Sequence, residues 1–263
     1  DMSTDLTTEE RLLQTLKCKA ELKRMLIRDF EINYLVAGSG PAVLLIHGGN
    51  IGWGQWYPNI DALARHFTVY AIDLPGAGRS TKIDFEHMDF EKDLFEVADE
   101  FVRALPVEKI DVIGSSNGGW IAMKLALSGN PKIGKLVLVD AVGFSDYATV
   151  PDRIISMYPL AKFLSTTVFR PHRSNMRVES LLRSVFHNRH ALLRKEFIDY
   201  FYETMGRSHN MLFISKLAHK NARTKMFLKN KLPRLTHETC IIWGEHDSIM
   251  PLSKHGIFFN RLP

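Results

Sequence analysis

Ser116 stands at the centre of Gly114-Ser115-Ser116-Asn117-Gly118, directly after the apolar run Ile110 to Ile113 and at the head of a helix-like segment, Asn117 to Leu127. A serine hydroxyl becomes a useful nucleophile only when a base takes its proton and nearby donors hold the charge it creates. The head of a helix supplies part of the second need, since its first amides stabilise negative charge. The glycines supply the geometry. A sharp strand-to-helix bend strains the serine backbone, and a side chain two residues to either side would collide with the adjoining strand and helix. Ser115 lacks that flanking pattern, so Ser116 is the candidate nucleophile and acyl transfer the candidate chemistry. The bland alternative is a glycine-rich strand exit with no chemistry.

Such a serine needs a scaffold that ends several strands along one edge. Apolar runs bounded by turn residues recur at Ile32 to Ala37, Val43 to Ile46, Thr68 to Ile72, Ile110 to Ile113, Leu136 to Val139 and Cys240 to Trp243. Helical patterns lie between them at Asn59 to His66, Phe90 to Leu105 and Asn117 to Leu127. Continuous apolar strands alternating with helices predict an α/β fold, a mainly parallel sheet covered by helices on both faces. Leu12, Leu13 and Leu16 predict an amphipathic helix over Thr7 to Leu22, which makes residues 1–26 an N-terminal helical extension. After Val139 the alternation breaks, and a helix-rich stretch with many aromatic residues precedes the next strand. An insertion between two strands lies over their carboxyl ends, where Ser116 is. The chain therefore divides into the extension 1–26, a core of 27–143 and 233–263, and a helical lid of 144–232.

The formal charge of +5 is unevenly spread: residues 144–232 carry sixteen Lys and Arg against six Asp and Glu, or +10, and the remainder is −5. These bases alternate with apolar residues at helical spacing, as around Leu181, Leu182, Val185 and Phe186, which is the pattern of a solvated amphipathic face rather than a nucleic-acid surface. Steering of anionic substrates is the sharper alternative. No stretch approaches the roughly 20 apolar residues of a membrane span, and the polar, acidic start is unlike a signal peptide. A cytoplasmic protein without a membrane or nucleic-acid partner is expected. Cys18 and Cys240 have no metal spacing and read as plain thiols.

Three further motifs stand at strand ends: His47-Gly48-Gly49-Asn50 after Val43 to Ile46, Asp73-Leu74-Pro75-Gly76-Ala77-Gly78-Arg79-Ser80 after Thr68 to Ile72, and Gly244-Glu245-His246-Asp247 after Cys240 to Trp243. With the bend at Ser116, in this order, they resemble the α/β-hydrolase fold superfamily over about Ile27 to Pro263. Within it, His47 to Trp53 and Gly114 to Gly119 look most like the carbon-carbon bond hydrolases of aromatic degradation and related lid-bearing esterases. The resemblance implies oxyanion donors at the amides of Asn117 and Gly49, with Asn50 second to Gly49. It implies Asp247 as the acid that orients a histidine, in competition with Asp140 at the end of the preceding strand. Asp73 is expected to close its loop through hydrogen bonds. Asn50 and Trp53 are expected to bind substrate, although Trp53 and Trp56 can equally pack beneath the lid.

The general base is the departure. The resemblance places it about 25 to 30 residues after the acid, beyond one more helix and strand, whereas Pro263 follows Asp247 by sixteen. The expected histidine thus lies beyond Pro263, and the last strand and helix of the fold are expected to be missing. His246, His255 and His47 are poor substitutes, and His172, His187, His190 and His209 read as polar surface groups. The expected function is a serine hydrolase acting on an ester, thioester or activated ketone with a sizeable apolar part, a small-molecule substrate, with no metal or organic cofactor. An acyltransferase, or a ligand-binding pseudoenzyme without a base, is the alternative.

Overall fold

The central strand β3 (Ala42–Ile46) is apolar throughout because both of its faces are covered. Val43 and Leu45 enter one core while Leu44 and Ile46 enter the other. The computed structural model describes residues 6–147, 156–157, 159–160, 163, 194–207, 210–219 and 224–263. Among these residues seven strands form one sheet, β1 (Ala20–Ile27), β2 (Phe30–Ala37), β3, β4 (Thr68–Ile72), β5 (Ile110–Ser115), β6 (Ile133–Val139) and β7 (Thr239–Ile242), ordered β1-β2-β4-β3-β5-β6-β7. β1, β2 and β4 pair antiparallel, and every other neighbouring pair is parallel. The carboxyl ends of β3, β5, β6 and β7 therefore fall along one edge. The turns that carry chemistry leave from that edge.

On one face, α3 (Val97–Ala104) and α4 (Asn117–Leu127) bury Val97, Phe101, Ile121, Ala122 and Leu125 against the sheet. On the other, α2 (Tyr57–Leu63), α1 (Thr8–Gln14) and α5 (Lys195–Arg207) pack through Ile60, Leu12, Phe197, Tyr200 and Phe201. Seven residues are too few to hold a helix alone. α1 starts with a reciprocal bond pair between Thr7 and Glu10, and it persists because fully buried Leu12 contributes roughly 1.5–3 kcal/mol of docking. α6 (Asn210–Ala218) packs on the first face, where Phe213 meets Phe85 and Phe90.

Two expectations change. The helix expected over Thr7 to Leu22 stops at Gln14, and Ala20–Ile27 instead forms the edge strand β1, so residues 1–26 are not wholly a helical extension. Leu12 and Leu13 lie in α1, while Leu22 pairs with Leu35 in the eight-residue register of β1 with β2, which decides the matter. Cys240 lies in a strand as expected but is exposed, because β7 alternates half-buried and exposed positions. Of the segment 144–232, α5 and α6 are helical as expected. Leu181, Leu182, Val185, Phe186 and the histidines His172, His187, His190 and His209 lie outside the described residues.

Candidate active site

At Ser116 the chain turns from β5 into α4 with φ 52° and ψ −120°, a left-handed backbone that a serine adopts only under constraint. The flanking glycines explain how the bend closes. A Cβ on Gly114 would lie 2.3 Å from the Gly118 carbonyl oxygen, and one on Gly118 would lie 2.3 Å from the Ile46 carbonyl oxygen. The Ser116 amide donates to Val139 O at 2.9 Å, and its carbonyl accepts from Val142 N at 2.9 Å, which ties the bend to β6. Serine at a helix start ordinarily caps the first amides with its hydroxyl. Here the Ser116 side chain makes no such bond, so its oxygen is left for other use.

The turn after β3 presses on this bend: a Cβ on Gly48 would come within 2.8 Å of the Ser116 Cβ. The Gly48 amide donates to Gln55 Oε1 at 2.5 Å, and Gln55 Nε2 donates to Ser115 Oγ at 3.3 Å. Ser115, the alternative nucleophile, thereby serves as a bracket between turn and strand. The Gly49 amide donates to Asn117 Oδ1 at 2.8 Å, so the expected oxyanion donor meets a protein oxygen. His47 is fully buried, accepts from the Leu74 amide at 3.1 Å, and burial drives its pKa down to about 4. That ring is neutral and structural.

Both residues expected to bind substrate are buried. Asn50 is 1% exposed and its Nδ2 donates to Gly76 O at 3.0 Å, locking the turn to the loop after β4. Trp53 is fully buried, with its amide donating to Asp73 Oδ1 at 2.6 Å and its indole N–H to Glu9 Oε1 at 2.7 Å. Its ring faces Tyr200 of α5. No composition signal distinguishes a tryptophan that lines a pocket from one that fills a core.

Asp73 closes its loop as expected, accepting also from Asn33 Nδ2 at 2.8 Å and the Arg79 amide at 2.9 Å. The surprise is Glu9. This residue of α1 is buried beside Asp73 and takes the other Asn33 Nδ2 hydrogen at 2.8 Å. Burial, reinforced for Asp73 by the charge of Glu9, raises the pKa of both carboxyls. Arg79 answers them from one side and pairs with Glu203 of α5 at 2.8 Å, while the Thr8 hydroxyl also donates to Glu203. An acidic residue in a polar N-terminal helix gives no hint of such a position.

At the far end of the edge, Asp140 has φ 44° and accepts from the Gly244 amide at 2.8 Å, which fastens the exit of β6 to that of β7. Its pKa is raised by burial, with the charge of Asp247 adding to the effect. Asp247 is half-buried and accepts from the amides of Ile249 and Met250 at 2.7 and 2.8 Å, both through Oδ1. Asp140 thus joins two strand exits, whereas Asp247 closes its own loop. His246 is exposed, while His255 is buried with its ring stacked on Trp243. Among the described residues no histidine hydrogen-bonds Ser116 or Asp247, and no cluster of three or more His, Cys, Asp or Glu could hold a metal ion. Among them, too, no helix is long and apolar enough to cross a membrane.

A cavity of about 640 Å³ opens beside α4, with Met88, Phe90, Trp120 and Met226 as its apolar surface and Lys216 and Lys225 among its polar residues. Ser116 is not among its lining residues. Trp120, one helical turn beyond Ser116, is its nearest point on α4.

The alpha/beta hydrolase fold family matches residues 41–263, and the chain belongs to that family. It is 29% identical over 223 residues to a 2-hydroxy-6-oxononadienedioate/2-hydroxy-6-oxononatrienedioate hydrolase of a Pseudomonas species, covering 82% of this chain and 75% of that one. Abhydrolase domain-containing protein lid-1 of Caenorhabditis elegans is 26% identical over 164 residues, or 62% of this chain, which spans only 45% of that relative's length. Among solved structures, the 2-hydroxy-6-oxo-6-phenylhexa-2,4-dienoate hydrolase of a Rhodococcus species superposes with a TM-score of 0.74 at 22% identity, over 94% of this chain and 88% of the other. The last likeness is one of fold.

Proposed function

We propose that the chain is the serine-hydrolase core of an enzyme that cleaves an ester, thioester or activated ketone bearing a sizeable apolar group. The single observation that carries this reading is the strained backbone of Ser116, bent between β5 and α4 with its side chain withheld from capping. Ser116 Oγ attacks the carbonyl carbon, and the amides of Asn117 and Gly49 receive the oxyanion. Asp247 orients a histidine that follows it in chain order, the proton acceptor of the reaction. The segment 144–232 acts as a lid over this edge, its helices α5 and α6 carrying apolar residues against the core. Relatives named as hydrolases of oxo-dienoates favour the activated ketone within the substrate class.

The test is labelling of the full-length gene product with a fluorophosphonate, read by intact mass and peptide mapping. A single adduct on Ser116 that disappears in Ser116→Ala is expected. Labelling that survives Ser116→Ala, or no labelling of a folded protein, refutes the reading, and the second result favours a ligand-binding pseudoenzyme.

A further inference from the structure

Two side-chain amides accept from backbone amides of the turn after β3, and they do so differently. Gln55 is tied at both ends, its Oε1 to the Gly48 amide and its Nε2 to Ser115 Oγ. Asn117 is tied at one. Its Oδ1 accepts from the Gly49 amide at 2.8 Å, while its Nδ2 is buried without a hydrogen-bond partner in a residue only 1% exposed. A buried donor left unmade is costly, so the carboxamide rests in a place that is poor for one of its two ends. What makes the place intelligible is the chemistry of the end that is satisfied. Oδ1 is a neutral carbonyl oxygen, as an acyl oxygen is, and it sits on a donor whose turn lies against the Ser116 side chain.

We infer that the Asn117 carboxamide occupies, in the resting enzyme, the oxyanion position at the Gly49 amide, and that a substrate must displace it to be acylated. The inference rests on Ser116 as nucleophile and adds a selectivity rule to it. One N–H cannot serve two acceptors at full strength, so a carbonyl oxygen that already carries partial negative charge competes well and a weak acceptor competes badly. Asn117 lies in the first turn of α4, where backbone amides lack helical acceptors. Acylation then requires its side chain to rotate away about χ1 and χ2 while its own amide stays in place as the second donor. Asn117 is thus a specificity-determining residue through its side chain.

The experiment compares the rate of fluorophosphonate labelling of Ser116 in the full-length wild type, Asn117→Ala and Asn117→Asp, each checked for an unchanged melting temperature. Removal of one competing neutral hydrogen bond is expected to speed labelling about fivefold in Asn117→Ala. A carboxylate, which binds the Gly49 amide more tightly and repels the developing charge, is expected to slow it at least about tenfold in Asn117→Asp. A purely structural acceptor predicts the opposite order, because Asp keeps the bond and Ala loses it. Equal or slower labelling of Asn117→Ala overturns the inference while leaving the hydrolase reading intact, whereas failure of the wild type to label at all removes both. If Asn117→Ala does not fold, a crystal structure of the wild-type phosphonyl adduct decides. The phosphoryl oxygen should take the Gly49 amide with the carboxamide turned away, and an adduct that keeps the Gly49–Asn117 bond refutes the idea.

Discussion

At the end of β4, Glu9 and Asp73 divide the two hydrogens of Asn33 Nδ2 between them, buried and enclosed by Trp53, Arg79 and Tyr200. At the ends of β6 and β7, Asp140 and Asp247 also face each other, but they are half-exposed and their bonds go to loop amides. Burial, and for Asp73 the charge of Glu9, raise both carboxyls of the first pair against the hydrogen bonds that lower them, and so by pKa alone it would be taken for the reactive one. Its bonds show otherwise. They join α1, the turn after β3, the loop after β4 and, through Arg79 and Glu203, helix α5. The pair at β6 and β7, by contrast, lies on the edge that carries Ser116. A perturbed carboxyl marks a functional site only where its partners leave it something to do.

The largest expected effect tests the second pair. In the full-length enzyme Asp247→Asn should lower kcat/KM by roughly 10⁴-fold with little change in melting temperature, since an amide orients the wrong histidine tautomer. Asp140→Asn should cost less than about tenfold. Reversal of that order in steady-state esterase assays would assign the acid to Asp140.

Next in size is the scaffold. Asp73→Ala strips the acceptor from the amides of Trp53 and Arg79 and from Asn33 Nδ2, which should destabilise the fold by about 3–5 kcal/mol in urea titration. A loss under about 1 kcal/mol would show that the buried pair is not structural.

A smaller effect concerns protons. Folding raises the pKa of Glu9 and Asp73, so the folded state holds a proton more firmly than the unfolded chain. That contribution is present below the ordinary carboxylate range and is lost as pH rises from about 4 through the raised folded values. Glu9→Gln keeps an acceptor for Trp53 Nε1 and Asn33 Nδ2 but removes one charge beside Asp73, in a setting where Arg79, Arg24, Glu203 and Tyr200 remain. The fall in melting temperature between pH 5 and 8 should shrink by at least about half. An unchanged slope would mean that the two carboxyls do not share their titration.

The smallest effect is again at Asp140. Its asparagine keeps the acceptor for the Gly244 amide and removes a charge that burial and Asp247 disfavour. Asp140→Asn should therefore raise stability at neutral pH, by no more than about 1 kcal/mol. A clear loss would give the Asp140 charge a role the loop bonds do not reveal.

The α/β class, the parallel strands and the bend at Ser116 were legible in the residues because local physics writes them there. Apolar runs that need cover on both faces read as parallel strands, and a serine between glycines reads as a bend only glycines permit. Asp73 as a loop fastener was legible for the same reason, since it lies inside a short motif. What tertiary structure alone decided was every partnership across long separations. Whether Leu22 is helical or extended depended on β2, and whether Trp53 faces a ligand or a core depended on Glu9, 44 residues away, and on Tyr200 of α5. Likewise the Gly49 amide reads from sequence as an oxyanion donor, and only the fold, by setting Asn117 Oδ1 68 residues away at 2.8 Å, shows which oxygen rests on it. Periodicity and motif spacing carry information within a few residues, whereas the hydrogen bond that settles a side chain's role is fixed by which elements pack together.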